Sequence, residues 1–184
     1  MKRTKTHVAL LLCLIATTAI AQTGTVERRF ALPGHGNFVI QVPRDWKDQV
    51  RQQPNQLPPT IAFGPGSGNP FQVVMIPIWP PTKDYALPSR DQVRAAIERV
   101  AQEASSQAVE KELRVVELQG RSGAGFYFSA TDRAPKPGAY KFLTQGTVLV
   151  GQLVVNFTIL TNDGQEAIVK QALDALKGAA QNGV

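Results

Sequence analysis

The chain has 184 residues, 43% of them hydrophobic and 18% charged, with a formal net charge of +6 and a single cysteine, Cys13. That length suits one domain with a sizeable core, and one cysteine excludes an internal disulfide and a thiolate metal cluster. Beyond the first 21 residues the basic side chains are scattered singly, with Arg28-Arg29 the only adjacent pair, so no basic stripe exists to neutralise a row of phosphates, which argues against a nucleic-acid partner.

Lys2, Arg3 and Lys5 precede an apolar run from Val8 to Ala16, which is followed by Thr17, Thr18 and Ala19-Ile20-Ala21. This is the order of a secretory signal peptide, with cleavage expected after Ala21. Nine apolar residues make about 14 Å of helix against a hydrocarbon core of roughly 30 Å, too short for a transmembrane anchor. Leu12 precedes Cys13 where lipid attachment would need a small residue, and cleavage there would split the apolar run. The expected division is therefore residues 1–21 as signal peptide and 22–184 as a single domain with its core over about 26–178. Removal takes three of the 20 basic residues and none of the 14 acidic ones, leaving 17 against 14 and a net charge of +3.

Turn-forming residues punctuate the first half at Pro33-Gly34-His35-Gly36, Pro54 to Pro59, Gly64 to Pro70 and Pro77 to Pro81. Between them the β-rich runs Glu27 to Leu32, Asn37 to Val42, Thr60 to Phe63 and Phe71 to Ile78 read as strands. Ser89 and Gln92 form a capping box that opens a helix, in which Val93, Ile97, Val100, Ala104 and Ala108 share one face. Leu113 to Leu118 and Ala124 to Thr131 then read as a hairpin around Gly120-Arg121-Ser122-Gly123. Tyr140 to Val150 and Gln152 to Thr161 read as longer strands. In the last of these, Leu153, Val155, Phe157 and Ile159 make one apolar face, and Val154 and Leu160 on the other predict a sheet covered on both sides. Asp163 and Glu166 signal a second helix, with an apolar stripe from Ile168 to Leu176 and a stop at Gly178. The predicted order ββββ–α–ββββ–α, with short links, gives an α+β fold with a mainly antiparallel sheet.

The run Phe38-Val39-Ile40-Gln41-Val42-Pro43-Arg44-Asp45-Trp46 resembles the opening strand of the PsbP-like and DcrB-like families, in which a strand ends in Pro and a nearby Trp begins a short helical turn. The element order over roughly Phe30 to Gly178 is also similar. The resemblance implies an αβα sandwich and an exported accessory protein that binds partners or assists assembly. The chain departs from it in lacking the lipid-bearing cysteine of DcrB-type lipoproteins and any histidine cluster.

The residues offer little for catalysis. His35 is the one histidine beyond the signal segment, flanked by glycines in a predicted turn; no Gly-x-Ser-x-Gly elbow accompanies it, so a turn residue is expected rather than a general base. A zinc site would need three carboxylates beside it. Gly64 to Gly68 and Gly120 to Gly125 lack the Lys-Ser/Thr ending of a phosphate-binding loop, and both read as turns. Asn156-Phe157-Thr158 matches a glycosylation sequon inside a predicted strand, where chance explains it better. Asp91, Glu98, Glu103, Glu110 and Glu112 are expected on solvated helix faces, leaving Asp132 and Asp163 at strand ends as a poor basis for a glycosidase pair.

Aromatic and basic residues among prolines remain. Trp46 is expected as a core plug. Trp79 and Tyr85 lie among Pro77, Pro80 and Pro81, while Arg133, Lys136 and Tyr140 surround Pro135 and Pro137. Trp, Tyr and Arg dominate binding hot spots, and stiff loops lose less entropy on docking, so these five are the expected partner-binding residues. The expected function is that of a non-enzymatic, periplasmic or secreted accessory protein that binds an envelope protein or a small ligand and uses no cofactor. The alternatives are a hydrolase of envelope material using His35 or a carboxylate pair, and a structural envelope component.

Overall fold

In the computed structural model, residues 24–54, 57–80, 82 and 86–183 are described. The expected signal peptide and Tyr85 lie outside them. The described residues form β1 (Thr25–Ala31), β2 (Asn37–Pro43), β3 (Trp46–Arg51), β4 (Thr60–Pro65), β5 (Gln72–Ile78), α1 (Arg90–Ser105), β6 (Val116–Gln119), β7 (Ala124–Thr131), β8 (Phe142–Val150), β9 (Leu153–Thr161), α2 (Glu166–Gly178) and β10 (Ala180–Asn182). The fold is α+β, as the sequence predicts, and every strand pairing is antiparallel.

Seven strands make the main sheet in the order β3-β4-β5-β9-β8-β7-β6, and β1-β2-β10 make a small second sheet. The strongly apolar strand β9 takes the central position. Register fixes its two faces: Phe157 lies opposite Met75 and Gly146, whereas Asn156 lies opposite Ile76 and Thr147. On the Phe157 face, Val73, Met75, Val155 and Ile159 are all fully buried with Ile61 and Phe63 of β4. The small sheet and α2 cover them through Phe38, Ile40, Val42, Ala172 and Leu176. Burying each of the larger side chains contributes about 1.5–3 kcal/mol, so this layer dominates the stability. Gly146 is required here by close approach: a Cβ would meet Tyr127 Cβ at 2.6 Å and Phe157 Cζ at 2.7 Å.

The opposite face is covered over only part of its width. There α1 packs Val93, Ile97 and Ala101 on Phe126, Phe128 and Ala130 of β7 and on flanking Leu143 and Leu149 of β8. The two helices thus lie on opposite faces of the main sheet, with the small sheet beside α2. On the α1 side of β9, Val154, Thr158 and Leu160 are half-buried and Asn156 is exposed. The expectation of a strand covered on both sides therefore holds for one face and fails along much of the other.

The local signals of α1 act as read. Ser89 Oγ accepts from Gln92 N–H at 3.3 Å, and Ser89 N–H donates to Gln92 Oε1 at 2.7 Å. Arg90 adds a bidentate link to Glu117 of β6 at 2.7 and 3.1 Å, with its guanidinium carbon 5.2 Å from the Phe126 ring centre. These hydrogen bonds raise the pKa of Arg90 and lower that of Glu117.

Several expectations are corrected. Trp46 is a core plug, 1% exposed against Phe71 and Phe63, but it opens β3 rather than a helical turn. Neither Asp163 nor Glu166 caps α2. Gln165 is its N-cap residue, without a side-chain capping bond. The Gln165 amide instead donates to the carbonyls of Asn69 and Pro70 and accepts from Asn162 N–H, tying the helix start to the glycine-rich turn. Because α1 ends at Ser105, Glu110 and Glu112 are not on a helix. The first strand of the second hairpin is Val116–Gln119 rather than Leu113 to Leu118.

Candidate functional site

The incomplete cover beside α1 creates a trough. Its floor is the row Val154, Asn156, Thr158 and Leu160 on β9, flanked by Ile76 and Val74 of β5 and Gln145 of β8. One wall is the flank of α1. Four alternate residues of a strand span about 20 Å, and α1 from Gln92 to its end at Ser105 rises about 20 Å, so floor and wall match in length. Three adjoining cavities fill it.

The first, about 760 Å³, lies at the N-terminal end of α1 between Ile78, Trp79, Leu87 and Val154, with Gln92 and Arg99 supplying polar groups. The second, about 250 Å³, is central and polar-floored: Gln145, Thr147, Asn156 and Thr158 present amides and hydroxyls, and Thr147 Oγ1 donates to Asn156 Oδ1 at 2.7 Å. The third, about 350 Å³, lies beyond the C-terminal end of α1. Ala104, Ala130, Leu143 and Leu160 make it apolar, and Tyr140 and Lys141 stand at its rim.

The expected partner-binding residues fall at the two ends. Trp79 is half-buried, lines the first cavity and stacks on His35, with ring centres 4.6 Å apart and planes 20° apart. Tyr140 lines the third cavity. The loops carrying them are therefore not neighbours; most of the length of α1 separates them. Lys136 is exposed in its turn. Arg133 is committed within the fold: Nη2 and Nε donate to the Ala108 carbonyl at 2.7 and 3.2 Å. That clamp, the Ala108–Asp132 bridge and Glu110 together hold the segment after α1 against the end of β7.

Glu110 accepts from Thr131 N–H at 2.9 Å and from Thr131 Oγ1 at 2.7 Å. Desolvation pushes its pKa up, but the two Thr131 bonds together prevail and leave it below the ordinary carboxylate value.

His35 is anchored rather than loose. Its ring rests on Trp79, and its carbonyl accepts from Gln181 Nε2 at 2.9 Å. It lines none of the three cavities. Among the described residues, Asp132 borders the third cavity, Asp174 one beside α2 and Asp48 one beside β3, a single carboxylate in each. Among the same residues, no group of three or more His, Cys, Asp or Glu is placed to hold a metal ion, and no helix is long and apolar enough to cross a membrane.

The residues that sequence reasoning missed are Arg99 and Gln92 on α1 and Asn156, Thr158 and Gln145 on the sheet. A usable signal was present in β9, where one flank alternates Val, Asn, Thr and Leu. Such a mixed face suits a surface that is partly wet.

Fold and site together define a two-helix α+β domain with a one-sided trough. No known family profile matches the chain, and no curated protein matches it in sequence. Among solved structures it is similar to LpqN of Mycobacterium tuberculosis, described as involved in cell envelope biogenesis. The TM-score is 0.47, with 13% identity over 86% of this chain and 92% of LpqN.

Proposed function

We propose that the protein is an exported accessory protein that works by binding, without catalysis, and that the trough beside α1 holds what it binds. The observation that carries this reading is the half-covered central strand: a row of half-buried apolar and polar side chains on β9 meets a helix flank across a concave gap. Ligand sites are typically concave, mostly apolar and about 300–1,000 Å³ in volume, with a few placed polar groups, and the first cavity fits that description. A recessed channel of this width suits a small ligand or one extended segment of an envelope protein better than a broad flat partner. His35 lines none of the three cavities, and among the described residues the cavities that contain a carboxylate have one each, so neither feature favours a hydrolase reading.

The test is to purify wild type and Asn156→Trp from the same envelope extract and compare by mass spectrometry what accompanies each. Asn156 is exposed at mid-trough, so the variant fills the channel from the open face, and its urea unfolding curve checks that it remains folded. The expected result is a ligand or partner held by the wild type and lost by the variant. Equal retention by both, or hydrolysis of envelope material that His35→Ala abolishes, overturns the reading.

A further inference from the structure

The first cavity has a chemistry of its own. Its walls are aliphatic, from Ile78, Leu87, Val154 and Ala95, with Trp79 at one side. Among the described residues one cation, Arg99, is exposed at its lining. Among the described residues Arg99 has no carboxylate partner, whereas Arg90 and Arg94 on the same helix are paired with Glu117 and Glu98. An apolar recess with a solvent-facing guanidinium is complementary to a molecule with an apolar body and an anionic end. The floor also sets a limit, because the next β9 residue on this face after Val154 is Asn156, and an aliphatic chain reaching it would strand an amide against hydrocarbon.

We infer that the first cavity binds a single-chain anionic amphiphile of medium length, its carboxylate on Arg99 and its tail between Trp79 and Val154. This deepens the reading of the trough as a binding seat and rests on it. The seat takes a monomer from solution; it is not a membrane-docking face.

Decanoate, kept below its micellar range, is the probe, and tryptophan emission is the readout. Trp79 lines the cavity, whereas Trp46 is sealed in the core and acts as an internal reference. Decanoate should change the emission saturably in the wild type and leave it unchanged in Trp79→Phe. Arg99→Gln should weaken the affinity about tenfold, the scale of one lost charge-assisted hydrogen bond, while Arg99→Lys restores most of it. Decyltrimethylammonium should bind less well than decanoate, and hexadecanoate should gain nothing from its extra length. Equal binding of cation and anion, no effect of Arg99→Gln, or response only to anionic vesicles overturns the inference. If decanoate fails to bind while Asn156→Trp still loses its natural ligand, the trough stands and only the amphiphile falls.

Discussion

The two faces of the main sheet are made from the same strands yet serve opposite ends. On one, β9 contributes Leu153, Val155, Phe157 and Ile159, all 2% exposed or less, sealed under α2 and the small sheet. On the other, the alternate residues of the same strand face a gap that α1 leaves open. The covered face supplies the stability that lets the open face remain unfilled. A period-2 strand can divide the work this way because neighbouring residues never share a side.

The contrast predicts unequal costs for neighbouring substitutions. Phe157→Ala, on the sealed face, should lower stability by about 3–5 kcal/mol, as deletion of a buried ring does. Thr158→Ala, one residue on, should lower it by no more than about 1 kcal/mol, the span of strand propensity. Urea unfolding of both variants checks this, and similar values for the two would erase the distinction between the faces.

A smaller effect sharpens the boundary between covered and open regions, which α1 defines. Removing its capping box with Ser89→Ala should cost about 1 kcal/mol, measured by the same unfolding curve. Hydrogen exchange should speed up first in the opening turn of α1, beside the first cavity, before β7 or β9 responds.

Much of this architecture was legible because it is local. Ser89 and Gln92 sit three residues apart and do what that spacing allows; Ala124 to Thr131 alternates and forms β7 with those bounds. What escaped depends on distant partners. The polar run Lys47-Asp48-Gln49 has no strand-like alternation; β3 exists because β4 pairs with it in register. Likewise β10 is three residues long and owes its conformation to the edge of β2. The trough was illegible for the same reason. Val154 and Leu160 announce apolar surroundings, but only the lateral position of α1 decides whether helix or water lies above them. Of the residues expected to bind, Trp79 and Tyr140 line the trough, while Arg133 spends its guanidinium on Ala108, a contact that spacing along the chain could not reveal.

The proposed function requires binding on the open face and not on the outer surface of the small sheet. Because Cys13 is the chain's one cysteine, a cysteine introduced into a protein produced from residue 22 onward can carry a photo-crosslinker alone. Thr158→Cys puts it on the trough floor, and Gln41→Cys puts it on the exposed side of β2. After irradiation in envelope extract, a defined adduct is expected from position 158 and none from position 41. An adduct from position 41 with none from position 158 would contradict the proposed function.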